Sequence, residues 1–243
     1  MNYELDKNNL LHLPQDIVIV LDQSGSMSSI ATTQDESGVT KESGLSVQQI
    51  ANHSAKTIIK TVDKNSRIAV ISFDCSVTLV SDFLEMTEDN KIKLVEKIDT
   101  IVPRNRTNIW GAIQKAIDRL DFRDDKSRNS AIILLTDGVP NESPARGEVE
   151  TLKRLRNSKN FSTPIYTFGF GYNLKRGLLY DIAKYSNGGN GHIPDGTMIA
   201  TVFCNFIGNI LTTVVNNSYE LARDYVEEVR NKIQSEIILI AFD

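Results

Sequence analysis

Short apolar runs rich in β-branched residues alternate along this chain with longer stretches whose apolar positions recur every three or four residues. Ile17-Val18-Ile19-Val20-Leu21 is continuous, with Pro14 before it and a Ser/Gly cluster after it. A strand buried on both faces reads this way, because neither side of the pleat meets water. Arg67–Phe73, Ala131–Leu135 and Pro164–Phe168 fit the same description. Between them, Val47, Ile50, Ala51, Ala55, Ile58 and Val62 draw one stripe along a helix over 46–62, and Ile92, Val95 and Ile98 mark a second helix. Ile109, Ala112, Ile113, Ala116 and Ile117 mark a third, Leu152 with Leu155 a fourth, and Leu178, Leu179, Ile182 and Ala183 a fifth. Strands alternating with helices predict a doubly wound α/β fold, its mostly parallel sheet covered on both faces.

Val77-Thr78-Leu79-Val80 breaks the alternation, since only Asp74, Cys75 and Ser76 separate it from the preceding strand. No helical crossover fits that gap, so an antiparallel edge strand closed by a hairpin is expected. Residues 31–44 are polar and aperiodic and are expected to form an exposed loop after the first strand. Leu221, Tyr225, Val226, Val229 and Ile233 keep a helical stripe, and 236–242 is an apolar, strand-like run. Such a run does not rest in water unpartnered. It packs on the domain, pairs with another copy, or begins a further region. The expected division is an extension over 1–15, one domain over 16–216 and an appendage over 217–243.

Composition narrows the function classes. Of 243 residues 40% are hydrophobic and 24% charged, which excludes disordered, collagen-like and disulfide-scaffold chains. With 31 acidic and 27 basic side chains the formal charge is -4, and no block of like charge occurs, so a nucleic-acid partner is not expected. Cys75 and Cys204 lie far apart in apolar surroundings, the pattern of buried free thiols in a reducing compartment. The first residues carry neither a basic nor an apolar leader pattern, and no apolar run approaches the ~18 residues of a membrane span. Together these features predict a cytoplasmic chain without membrane insertion.

In an open parallel sheet, ligands bind at the carboxyl ends of the strands, so the residues just beyond each buried run decide the chemistry. Asp22-Gln23-Ser24-Gly25-Ser26 comes after the first strand, Arg104-Asn105-Arg106-Thr107-Asn108 precedes the third helix, and Thr136-Asp137-Gly138 closes a later strand. Asp22, Ser24, Ser26, Thr107 and Asp137 thus supply two carboxylates and three hydroxyls on three loops at one sheet edge. Hard oxygen donors without His or Cys suit Mg²⁺, Mn²⁺ or Ca²⁺ and disfavour Zn²⁺. Taken singly, Asp22-Ser24-Ser26 and Thr107 also read as helix caps, and Asp137-Gly138 as a tight turn.

The D-x-S-G-S motif, the Thr-Asn opening a helix and the T-D-G at a strand end together resemble the von Willebrand factor A family over roughly 16–216. In that family the matching residues form a metal-ion-dependent adhesion site. The resemblance implies six strands, a bound divalent cation, Mg²⁺ first among those named, and protein binding in place of catalysis. It further implies direct ligation by Ser24, Ser26 and Thr107, partly water-mediated roles for Asp22 and Asp137, and a partner Asp or Glu as the remaining ligand. The rival readings are a metal-dependent hydrolase and an intracellular scaffold whose metal is structural. The hydrolase needs a general base, and the three loops carry neither His nor Lys. The stretch Gly44–Gln48 with the polar segment before it resembles intracellular members of the family.

Other residues draw two readings each. Arg104 and Arg106, flanking the loop of Thr107, either select an acidic partner or are solvated loop charges. Trp110 at the helix start packs into the core or serves an interface. His12, His53 and His192 lack metal-ligand spacing, and His53 is expected to be solvated. Lys153, Arg154, Arg156 and Lys159 are expected to be the wet face of one helix. Gly169-Phe170-Gly171-Tyr172-Asn173 lacks the G-x-G-x-x-G spacing and is expected to turn the backbone after a strand. The oligomeric state leaves no mark on the sequence.

Overall fold

β1 (Gln15–Asp22) is buried along its whole length, with β4 (Arg67–Phe73) and β6 (Asn129–Thr136) parallel to it on either side. β7 (Ile165–Phe170) and β8 (Asn190–Ile193) continue the sheet beyond β6, also parallel. β5 (Val77–Glu85) runs antiparallel to β4 on the opposite edge, as the short hairpin requires. The order is therefore β5-β4-β1-β6-β7-β8, six strands with one antiparallel pair. This computed structural model describes residues 14–34, 40–126, 128–159, 161–171, 174–193 and 202. His12, Tyr172, Asn173, Cys204 and the expected elements over 218–233 and 236–242 lie outside the described residues. Among those described, no helix is long and apolar enough to cross a membrane.

The unbroken apolar run of β1 follows from its two buried faces. Ile17, Ile19 and Leu21 join one core cluster with α1 (Val47–Thr61) and α2 (Glu88–Asp99). Val18 and Val20 join a second cluster with α3 (Ile109–Asp121), α4 (Glu148–Lys159) and α5 (Arg176–Tyr185). Alternate residues of one strand thus anchor helices on opposite sides. α1 starts at a reciprocal cap: the Gln49 N–H donates to Ser46 Oγ at 3.2 Å, and the Ser46 N–H donates to Gln49 Oε1 at 2.8 Å.

Five expectations are corrected. Cys75, expected as a buried thiol, is exposed. Within the segment expected as a loop over 31–44, β2 (Ile30–Gln34) and β3 (Thr40–Ser46) pair as an antiparallel ribbon. Lys41, Glu42 and Leu45 are exposed and only Ala31 among the ribbon's described residues joins the core, so no apolar alternation reveals it. On α2 the buried positions are Lys91, Leu94 and Ile98, whereas Ile92 is 59% exposed. A charged side chain took the place of an apolar one because the Lys91 ammonium donates to the last-turn carbonyl of Lys60 at 3.2 Å while its stem is covered. His53 is half-buried, and burial, then Lys56 and Lys60, holds its imidazole below the usual value. The α4 cations are more than a wet face: Arg156 donates to the carbonyls of Thr163 and Ser186, and Lys159 pairs with Asp118 and Asp121 of α3.

The order of strands reverses between β1 and β6, because the chain leaves β1 for β4 on one side and returns for β6 on the other. At such a switch point the loops leaving the two strands part and open a crevice outside the strand ends. Asp22 ends β1 and Asp137 follows β6, so both acidic candidates flank this crevice.

Candidate functional site

Three loops are stitched together over the crevice by main-chain hydrogen bonds. The Gly25 N–H donates to the Asn105 carbonyl at 2.9 Å, and the Arg104 N–H donates to the Gln23 carbonyl at 2.6 Å, joining the β1 loop to that of Thr107. Thr107 is tied in turn to the β6 loop: its N–H donates to Asn141 Oδ1 at 3.0 Å, and its carbonyl accepts from the N–H groups of Asn141 and Glu142. Asn105 has φ of 58°, a left-handed conformation that asparagine tolerates better than most residues. That turn lets its carbonyl meet Gly25 while its side-chain amide donates to Asp74 Oδ2 at 3.2 Å.

Inside this frame, Asp22 Oδ1 accepts from the Ser24 N–H at 2.8 Å, and the Ser24 and Ser26 hydroxyl oxygens lie 3.1 Å apart. The Thr136 hydroxyl donates to Asp22 Oδ2 and accepts from the Gly138 N–H at 2.9 Å. The Ser26 side chain and the Val139 backbone act on Asp137 to offset part of the effect of its burial. Gly138, at φ of 77°, turns the chain beneath Leu179, where a Cβ would lie 3.0 Å from Leu179 Cδ1.

Burial sets the electrostatics. Asp22 is fully buried, and burial followed by the neighbouring Asp137 charge pushes its carboxyl up to about 7. Burial likewise raises Asp137, and its Oδ1 is buried with no hydrogen-bond partner. Two carboxylates facing one another with an unsatisfied oxygen are an arrangement that a bound cation would relieve. Among the described residues no three His, Cys, Asp or Glu side chains cluster, so hydroxyls must complete any ligand set here.

The structure links Asp22, Ser24, Ser26 and Asp137 through direct interactions and sets Thr107 on the loop bonded to both of theirs. Thr107 is only 2% accessible although it sits on a loop, and Asp22 and Ser24 are equally enclosed. Arg104 and Arg106 are both exposed beside the crevice, and Trp110 is half-buried against the second core cluster. Sequence reasoning missed Thr136 as the partner of Asp22, Asn141 as the clamp on Thr107, and Asp74 behind Arg104. Thr136 stood next to Asp137 and was legible as a hydroxyl at the same strand end. The others join residues about 30 positions apart, for which a single sequence holds no signal.

A family model for the von Willebrand factor type A domain matches residues 16–196. Among curated proteins, inter-alpha-trypsin inhibitor heavy chain H3 of Mus musculus is 30% identical over 182 residues, 72% of this chain and 19% of that protein. Heavy chain H2 of Homo sapiens is 25% identical over 190 residues, 74% of this chain and 18% of its own length. The chain thus spans about a fifth of the curated relatives it matches. Among solved structures, a von Willebrand factor type A protein from Catenulispora acidiphila superposes with a TM-score of 0.63 at 20% identity, covering 90% of this chain and 43% of that one. The PilB minor pilin of Streptococcus sanguinis gives 0.64 at 13% identity, covering 85% and 64%. The heavy chains are secreted extracellular proteins, which overturns the cytoplasmic expectation. A domain with two large apolar sheet faces needs no disulfide for stability, so its few cysteines were no measure of compartment.

Proposed function

The chain belongs to the von Willebrand factor type A domain family, and on that premise we propose that it is a divalent-cation-dependent protein-interaction module that binds an acidic side chain of a partner. The observation that carries the proposal is the buried, unpartnered Oδ1 of Asp137 beside the fully buried Asp22. Evolution of a structural turn would leave no reason to confine two carboxylates there, since each costs desolvation and the Asp137 charge raises Asp22 further. The donor set, Asp22, Ser24, Ser26, Thr107 and Asp137, is all oxygen and therefore fits Mg²⁺, with Mn²⁺ or Ca²⁺ as alternatives. When bound, the ion would offer an electrophilic position to an anionic oxygen. The chain's own part is to hold the hydroxyls of Ser24 and Ser26 together, to keep Asp22 oriented through Thr136, and to fix Thr107 through Asn141. The reading is one of binding, because the three loops carry no His or Lys to act as general base.

The test is calorimetric titration with Mg²⁺ combined with capture of partners in Mg²⁺ and in EDTA. Asp22→Ala is expected to weaken Mg²⁺ binding at least about tenfold, and Thr107→Ala to lower partner capture as chelation does. Unchanged Mg²⁺ affinity in Asp22→Ala refutes the ligand set. Capture that persists in EDTA shows a metal that is structural only.

A further inference from the structure

Arg104 differs from the other exposed cations around the crevice in being held. Its Nε donates to Asp74 Oδ2 at 2.8 Å, and with the Gln23 amide oxygen turned towards it, Oε1 accepts from Nε at 3.1 Å and from Nη2 at 2.9 Å. Its own N–H is bonded to the carbonyl of Gln23, the residue between Asp22 and Ser24. Main chain and side chain of Arg104 are therefore both registered on the loop that carries the ligand candidates.

The group behind it is built for the purpose. Asp74 is 1% exposed, and burial alone would raise its carboxyl. The Ser76 N–H, the Asn105 amide and Arg104 together hold it below the usual carboxylate range. A charged carboxylate is thus kept under the loop, with the Arg104 side chain on its solvent side at 54% exposure. A guanidinium carries more N–H groups than these two acceptors occupy, arranged in a rigid fork that suits a carboxylate. Fixing the fork beforehand removes most of the side-chain entropy that binding would otherwise cost. Arg106, two residues on, is also exposed and has no comparable anchor among the described contacts.

We propose that Arg104 is a specificity-determining residue that receives a second carboxylate of the partner, so that the recognised element is an acidic pair and not a lone Asp or Glu. This rests on the cation-dependent reading above. One carboxylate of the pair goes to the cation site and the other to Arg104, and the shared loop fixes their separation. A partner with a single acidic residue engages only half of the surface.

The experiment uses the full chain with excess Mg²⁺ and, as probes, acetate and the linear dicarboxylates from succinate to suberate, with binding followed by ligand-observed NMR. At least one dicarboxylate is expected to bind about tenfold tighter than acetate, well beyond the roughly twofold statistical gain of a second carboxylate. That preference is expected to vanish in Arg104→Gln and to persist in Arg106→Gln, with Mg²⁺ affinity unchanged in both. Arg104→Lys, which keeps the charge opposite Asp74 but loses the fork, is expected to lose most of it. Absence of any preference, its survival in Arg104→Gln, or its full retention in Arg104→Lys overturns the proposal while leaving Mg²⁺-dependent acetate binding intact. Loss of Mg²⁺ affinity in both Arg104 variants also overturns it, since Arg104 then only braces the metal loop. Acetate binding that is identical in Mg²⁺ and EDTA refutes the cation-dependent reading itself.

Discussion

At Asp22 two unfavourable effects coincide: complete burial and a second carboxylate nearby. In the folded chain without a cation, this carboxyl keeps its proton up to about pH 7, whereas the unfolded chain releases it near 3.8. Between those values the folded state holds more protons, so stability falls as pH rises through the window, by an amount on the order of a few kcal/mol. In EDTA, thermal unfolding is therefore expected to move to lower temperature between about pH 4 and about pH 7. Asp22→Asn, which removes the titrating group and keeps its shape, is expected to abolish most of that drop, and saturating Mg²⁺ to oppose it. An equal drop in the variant would place the titration elsewhere.

Elements here are defined as much by their ends as by their stripes. α1 begins where Ser46 and Gln49 exchange hydrogen bonds, and the same Ser46 closes the β2–β3 ribbon opposite Ile30. The cap therefore sets both the start of the helix and the exit of the ribbon. Ser46→Ala removes the side-chain acceptor and is expected to cost about 1 kcal/mol in chemical denaturation, with Mg²⁺ affinity little changed. A cost near zero would mean that packing of α1 alone fixes its start. α2 makes the complementary point. The three-residue spacing of Ile92, Val95 and Ile98 suggests a stripe, but the helix presents Leu94 and Ile98 to the sheet and leaves Ile92 in water. With so few apolar residues on a short helix, two rotations satisfy the periodicity, and the sheet chooses between them.

Across the whole molecule, the two ends of β1 carry separate tasks. Asp22 lies at the carboxyl end, whereas Asp16 lies near the opposite end, fully buried and surrounded by guanidinium groups. Arg67 grips both its oxygens at 2.8 Å, Arg128 donates to Oδ1 at 2.8 Å, and Arg123 approaches Oδ2 at 3.5 Å. These arginines come from β4 and from the segment between α3 and β6, so one carboxylate holds three parts of the chain together. Removing it leaves several partly buried cations facing one another. Asp16→Ala is expected to cost about 3–5 kcal/mol of stability. Where the variant remains folded, Mg²⁺ affinity is expected to be unchanged, because the cluster lies at the far edge of the sheet. A variant of native stability, or one folded but unable to bind Mg²⁺, would refute this division of tasks.

The sequence by itself determined the strands that are buried on both faces, the antiparallel edge pair and the set of oxygen donors at the strand ends, because each is written in neighbouring residues. Ile17–Leu21 has no polar position to spare, three residues do not span a crossover, and D-x-S-G-S stands in one stretch. The sixth strand, Asn190–Ile193, has no such pattern; it was expected only from the family resemblance and exists because the edge of β7 is there to pair with. Tertiary structure alone decided that the ribbon forms, that Thr136 and Asn141 orient Asp22 and Thr107, that Asp74 fixes Arg104, and that three arginines converge on Asp16. Those interactions join groups far apart along the chain, and their strength comes from shared burial, which no local pattern of residues records.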